Sequence, residues 1–145
     1  MSITIGKLLE AKGHQVFSCP PETPALKALE MMSKKGIGTV LVLDGGSLIG
    51  IVSERDFIRK VIVEKRCVDD CPLREIMTPE PITISPEQSV ESCMKLMTEK
   101  RIRHLPVLEN GGLVGIISIG DVVKFALSEK ETLIKHYERY IYEGW

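Results

Sequence analysis

The chain has no charge of one sign to spare. Lys and Arg number 19 against 20 Asp and Glu, a formal net charge of −1, which excludes the broad basic face of a general nucleic-acid binder. No apolar run approaches the ~20 residues of a membrane span, and Met1-Ser2-Ile3-Thr4 does not open a secretory leader, so no membrane partner is expected and the compartment expected is the cytoplasm. Four cysteines, Cys19, Cys67, Cys71 and Cys93, are present. A zinc or cluster site needs about four ligands, and nothing near Cys67-x-x-x-Cys71 completes a set; Cys19 and Cys93 sit in apolar contexts and read as reduced core residues. There is no Walker loop and no GxGxxG. His14, His104 and His136 are not spaced with a Ser or Cys as a nucleophile pair would be, and no two carboxylates have contexts that would split their pKa values. Catalysis is therefore not expected. Aromatics are scarce at 5%, and four of them, Tyr137, Tyr140, Tyr142 and Trp145, crowd the C-terminal end.

What the chain does have is a repeat. Leu48-Ile49-Gly50-Ile51-Val52-Ser53-Glu54-Arg55-Asp56-Phe57 returns, altered, as Leu113-Val114-Gly115-Ile116-Ile117-Ser118-Ile119-Gly120-Asp121-Val122. The offset, the difference between Asp121 and Asp56, is 65 and runs without a gap on both sides: Ile102, Val107, Leu108, Gly111, Leu113, Gly115 and Ile116 all match their counterparts. Half of 145 residues is near the size at which a domain folds alone only marginally, so the halves should bury surface against each other. A hydrophobic content of 43% supplies the core.

In chain order, residues 5–10 read as one or two helical turns ended by Gly13, and 16–19 as a short strand stopped by Pro20-Pro21. Thr23 is a candidate N-cap with Pro24 at the first helical position; Ala25, Ala28, Leu29 and Met32 then mark one helix face, closed by Gly36. Residues 39–43 read as a strand covered on both faces, Asp44-Gly45-Gly46-Ser47 as a hairpin turn, and 48–52 as the antiparallel return. Gly50 inside that strand implies a close approach to its backbone, by a ligand or a packed helix, or else a bulge. Ser53 caps a helix whose apolar face is Phe57, Ile58, Val61 and Ile62. After a charged connector the pattern restarts. Leu73 answers Leu8; Val90, Cys93, Met94 and Met97 answer the earlier helix face; Asn110-Gly111 makes the second hairpin. The tail from Ser128 has no counterpart, and Leu133, His136, Tyr137, Tyr140 and Ile141 fall on one helical stripe that could cover the body of the same chain or, the favoured reading, a second chain in a dimer.

Each half thus reads strand, helix, strand, strand, helix: an α+β fold of two repeats about a pseudo-twofold axis with a C-terminal helix added. The two strand-to-helix junctions should open onto two clefts. Ser53 and Ser118 would offer a hydroxyl and helix N–H groups to an anion, and Asp56 and Asp121, one turn in, could accept hydrogen bonds from a ribose diol. Taken once, Ser-x-x-Asp is better explained as a plain cap; taken twice, each with a glycine three residues before the serine, it points toward a ligand. Arg103 and His104 enter a strand near the cleft, where an arginine fork suits phosphate. Their counterparts Gly38 and Thr39 carry no charge, although Arg55 could substitute, so the clefts should not be equivalent.

The residues Gly36-Ile37-Gly38-Thr39-Val40-Leu41-Val42-Leu43-Asp44 with Gly50-Ile51-Val52-Ser53-Glu54-Arg55-Asp56, and Arg101-Ile102-Arg103-His104-Leu105-Pro106-Val107-Leu108-Glu109 with Gly115-Ile116-Ile117-Ser118-Ile119-Gly120-Asp121, resemble a tandem pair of CBS domains, a Bateman module. Leu73-Arg74-Glu75-Ile76-Met77-Thr78 is similar to the family's lead-in to a repeat. The second copy has the family's proline at Pro106; the first has Leu41 there. The resemblance implies repeats at 5–66 and 73–127, a linker at 67–72 and a helical tail at 128–145. It implies a non-catalytic sensor for adenosyl ligands such as AMP, ATP, NAD(H) or S-adenosylmethionine. By the same resemblance Ser53 and Asp56 serve one cleft and Ser118 and Asp121 the other, Arg103 and His104 face phosphate, the backbone near Ser18-Cys19 and Thr83-Ile84 reads the adenine edge, and Ile37 and Ile102 line the pocket. A homodimer is expected; the downstream protein target has no signature. The competing readings are a ligand-independent dimerisation scaffold and, less favoured, a nucleotide hydrolase using His104.

Overall fold

The structure, a computed structural model, describes residues 3–143, with the side chains of 132, 133, 136, 137 and 140–143 outside the described set. The aromatic stripe expected in the tail therefore lies outside the described residues.

Thr4 and Gly13 set the limits of the first helix. The Thr4 hydroxyl accepts from the Lys7 N–H (3.2 Å), and Gly13 donates to the Leu9 carbonyl (2.6 Å), so α1 spans Ile5–Lys12. Its apolar face, Ile5, Leu8 and Leu9, is buried in the core of the second half, against Ile84, Val90, Cys93, Met97, Leu105 and Ile117. The first half follows: β1 (Ser18–Cys19), α2 (Ala25–Lys35), β2 (Thr39–Asp44), β3 (Ser47–Ser53) and α3 (Glu54–Phe57), which passes into a π-helical turn at Ile58–Ile62. The lead-in to the second half, α4 (Leu73–Ile76), returns the exchange. Leu73 and Ile76 are buried among Ala25, Ala28, Met32, Val40, Val52 and Phe57 of the first core. Then come β4 (Thr78–Pro79), α5 (Val90–Lys100), β5 (His104–Glu109), β6 (Gly112–Ser118) and the long α6 (Ile119–Glu143). Each lead-in is stitched in place by main-chain bonds: Ile5 N–H to the Gln88 carbonyl (2.8 Å) and Gly6 N–H to Pro86 (2.9 Å) on one side, Leu73 N–H to Thr23 (2.9 Å) and Arg74 N–H to Pro21 (2.9 Å) on the other.

β1 pairs parallel with β2, β2 antiparallel with β3, and β3 antiparallel with β4, giving one sheet in the order β1-β2-β3-β4; β5 and β6 form a second, antiparallel sheet. The second half has no full counterpart of β1, only the parallel bridge of Ile84 to Val107. Residues 39–42 are buried throughout, as a strand covered on both faces requires. Both hairpins turn through paired positive-φ residues, Gly45-Gly46 and Asn110-Gly111.

Three expectations are corrected. Thr23 does not cap α2: Pro24 is the N-cap and makes no side-chain cap bond. The first N–H groups of that helix instead meet the connector, Ala25 to the Cys71 carbonyl (2.7 Å) and Leu26 to Val68 (3.0 Å), so tertiary acceptors replace the local one. Ile58 and Ile62 are 54% and 67% exposed, because the widened π turn rotates them away from Phe57 and Val61, which stay buried. Met94, placed on the buried face of its helix, is likewise exposed. The structure also answers what approaches Gly50. A methyl built there would overlap the Met77 side chain, and one on Gly115 would lie 2.8 Å from Leu9 Cδ2. The exchanged lead-ins, not a ligand, need these two glycines, and both paired hairpins carry a register shift beside them.

Candidate functional site

The exchange carries β3 of the first half alongside the α5–β5 turn of the second. Between them lies a cleft of about 680 Å³. Its first-half wall holds Gly38, Thr39, Ser53, Arg55 and Asp56; its second-half wall holds Arg101, Ile102, Arg103 and His104, with Thr78, Glu80 and Ile82 from the segment between. Arg103 and His104 thus face Ser53 and Asp56 of the other copy. The pseudo-twofold places counterparts against each other at the seam, where His104 Nδ1 is 3.1 Å from Thr39 Oγ1.

Both Ser-x-x-Asp motifs act as caps. Asp56 Oδ2 accepts from the Ser53 N–H (2.9 Å) and hydroxyl (3.2 Å), and its Oδ1 is 3.3 Å from Lys60 Nζ one helical turn on. Asp121 Oδ2 accepts from the Ser118 N–H (2.8 Å), and the Asp121 N–H donates to the Ser118 hydroxyl (3.1 Å). Capping and ligand binding are compatible, since a carboxylate has about four lone-pair sites. The helix-start N–H groups are less available than the sequence implied. Glu54 N–H is spent on the Gly38 carbonyl (3.0 Å) and Ile119 N–H on the Arg103 carbonyl (2.8 Å). Anion recognition in the first cleft therefore falls to side chains. Arg55, Arg59, Arg101 and Arg103 line it together with Glu54, Asp56 and Glu80, and none of the four guanidiniums is in an ion pair among the described residues.

His104 is not part of that positive charge at neutral pH. Burial holds its pKa below the ordinary 6.5, helped by the nearby charge of Lys12 and Arg103 and opposed by Asp121. The ring is a neutral hydrogen-bonding group oriented by Thr39. On the other side of the seam, burial raises the Asp121 carboxyl, but the hydrogen bond from Lys12 and those from Ser118 more than offset it, leaving the pKa below 3.8. Lys12 Nζ is 2.6 Å from Asp121 Oδ2 and also donates to the Ile116 carbonyl.

The remaining expected residues lie away from the first cleft's walls. Ile37 packs on the first core. The Cys19 and Ile84 side chains are buried in the two cores, where burial pushes the Cys19 thiol pKa up. Both main-chain groups of Ile84 are spent on β5, its N–H on Pro106 (3.0 Å) and its carbonyl on Leu108 (2.8 Å), which leaves Ser18 and Thr83 as the exposed members of those stretches. Pro106 is buried within β5. The sequence reading missed Arg59, Arg101, Thr78, Glu80 and Lys12. Arg101 carried a signal: it holds the left-handed C-cap of α5 at φ 55°, where the first copy has Gly36, a conformation a bulky residue adopts at some cost. Lys12 carried none, because its contact depends on the exchange of α1. No group of His, Cys, Asp and Glu among the described residues is arranged to hold a metal, and no helix among them is long and apolar enough to cross a membrane.

The fold and sequence have known relatives. A protein with CBS domains from Burkholderia ambifaria superposes with a TM-score of 0.84 at 42% identity, covering 87% of this chain and 95% of that one. The mitochondrial CBS domain-containing protein CBSX3 of Arabidopsis thaliana is 35% identical over 99% of this chain and 74% of its own. The CBS domain pair of protein MJ0100, solved in complex with 5′-methylthioadenosine and S-adenosyl-L-methionine, shares the fold at a TM-score of 0.77 and 20% identity, covering 89% of this chain and 99% of that one. The CBS domain family matches twice, over residues 12–63 and 73–128, and with two such repeats exchanging their lead-ins around a common seam the chain belongs to the CBS-domain family as a tandem pair.

Proposed function

We propose that this CBS pair is a non-catalytic regulatory module that binds an adenosine-containing ligand, from the set AMP, ATP, NAD(H) and S-adenosylmethionine, in the cleft between its halves. The observation that carries the reading is the meeting, in one cleft, of Ser53 and Asp56 from the first half with Arg101, Arg103 and His104 from the second. The volume of about 680 Å³ lies within the ~300–1,000 Å³ of small-molecule sites. The carboxylate of Asp56 suits a diol, and the arginines favour the phosphate-bearing members over the sulfonium cation of S-adenosylmethionine. The MJ0100 pair, solved with adenosyl ligands, supports the ligand class. Neutral His104, its Nδ1 paired with the Thr39 hydroxyl, is a hydrogen-bonding group for the phosphate end, and hydrolysis is not proposed.

Thermal unfolding with each of the four ligands at millimolar concentration tests this. A ligand at a hundredfold excess over its Kd adds about 2.7 kcal/mol, a rise of several degrees for a chain of this size. Asp56→Ala and Arg103→Ala should each remove the rise. No rise with any of the four would refute the reading.

A pairing role is also proposed. Ile58, Ile62, Val63, Val123 and Leu127 are between 48% and 68% exposed, more apolar surface on the α3 turn and α6 than a monomer needs to leave wet, and a second copy in a homodimer is the partner proposed. Should the ligand experiments fail, this surface favours a dimerisation scaffold.

A further inference from the structure

The first cleft carries more positive charge than the repeat needs in order to fold. Arg55, Arg59, Arg101 and Arg103 line it. All four are exposed at its rim, while Thr39, Ser53, Asp56 and His104 on its walls are buried or half-buried. At an offset of 65, Arg55 answers to Gly120, Arg101 to Gly36 and Arg103 to Gly38. The other copy thus folds through three of these four positions with no side chain at all, so packing does not require the arginines. One of them is held against a conformational cost. Arg101 is the C-cap of α5 at φ 55° and ψ 43°, and Gly36 makes the same left-handed turn at the end of α2 at φ 67° and ψ 36°. Glycine adopts that turn freely and a larger residue only at a cost. A strained residue kept at a cleft points to a use.

The guanidiniums stand in two pairs. Arg55 and Arg59 lie about one helical turn apart on the first-half wall, and Arg101 and Arg103 lie on the α5–β5 turn of the second half. The carboxylates that line the same cleft, Glu54, Asp56 and Glu80, form no ion pair with any of the four among the described residues, and Asp56 has Lys60 at 3.3 Å instead. A guanidinium fork takes two oxygens, and a terminal phosphate offers three, so a single phosphate cannot satisfy both pairs. We propose that the cleft selects an adenosine ligand with a chain of phosphates, ADP or ATP, over AMP, and that Arg101 keeps its left-handed backbone for that contact. The proposal rests on the ligand reading above.

Isothermal titration of the full chain in magnesium-free buffer with ATP, ADP, AMP, NAD and S-adenosylmethionine in turn tests it. Wild type is expected to bind ATP about tenfold or more tighter than AMP, with ADP between them. Arg101→Gly, which copies Gly36, should cost ATP more than AMP and bring that ratio to about threefold or less. The same variant should raise the ligand-free Tm by about 2–4 °C, because the left-handed strain is gone. Arg101→Lys keeps both the charge and the strain, and should hold most of the ratio with no gain in Tm. Arg59→Gln should narrow the ratio, again with no gain in Tm. Equal affinities for ATP and AMP in wild type, an undiminished ratio in Arg101→Gly, or a lower ligand-free Tm in that variant would overturn the proposal and leave the sensor reading intact. So would binding of NAD or S-adenosylmethionine with none of the other three. Silence from all five ligands would overturn both.

Discussion

Replacing Leu8 with alanine should damage the half of the protein that Leu8 does not belong to in sequence. The side chain is 1% exposed and packed in the core built from Ile84 to Val122. Removing three buried carbons costs roughly 2.4 kcal/mol in transfer at about 0.8 kcal/mol each. The unfilled cavity raises the total toward the 2–5 kcal/mol typical of such sites, i.e. about 3–5 kcal/mol. At about 4 °C per kcal/mol for a domain of this size, Tm should fall by roughly 10–20 °C. The place of the damage is more diagnostic than its size. Native-state amide exchange should speed first in β5 and β6, with β2 and β3 holding protection longer. Leu73→Ala, in the reciprocal lead-in and 0% exposed in the first core, should give the opposite pattern. If Leu8→Ala instead opens β2 and β3 first, α1 is not seated in the second core, and the account of both glycines and of Lys12 falls with it.

Three further outcomes follow from the geometry. Gly115→Ala sets a methyl 2.8 Å from the buried Leu9 Cδ2 and should cost about 1–3 kcal/mol by chemical denaturation; a Leu9→Ala background should recover part of that loss, and no recovery would place the strain elsewhere. His104 has a folded pKa below the ordinary 6.5 because it is buried, so the unfolded chain binds the proton more readily. Its contribution to stability is complete above about pH 6.5 and is lost as pH falls toward the folded value. Tm measured across mildly acidic pH should decline, and His104→Gln should flatten that decline; an unchanged slope would assign it to other groups. Leu127→Glu, at a position 56% exposed on α6, should convert the proposed dimer to monomer in sedimentation analysis without lowering the protection of β2 or β5, whereas a dimer that survives both it and Ile62→Glu would place the interface on another surface.

The sequence was most readable where local rules act alone. Gly13 and Gly36 end their helices, the paired positive-φ turns close both hairpins, and Ser53 and Ser118 cap the helices they precede, because each depends on residues within one turn of the chain. Expectations failed where a distant segment supplied the partner or the helix changed pitch. The N–H groups of α2 took acceptors from the connector in place of Thr23, and the π turn exposed Ile58 and Ile62.

By itself the sequence determined the two copies, their 65-residue register, the main helix and hairpin of each, and which side chains carry hydroxyl, acid and cation. All of this is fixed by periodicity and residue type. The tertiary structure alone decided that α1 and α4 trade places, so that Arg103 and His104 face Asp56 and Lys12 reaches Asp121. The reason is that each lead-in offers only a short apolar stripe, Ile5, Leu8 and Leu9 in one and Leu73 and Ile76 in the other, which local rules do not assign to either core. Which core takes it is settled by chain path and close packing on Gly50 and Gly115, quantities that no stretch of residues read in isolation contains.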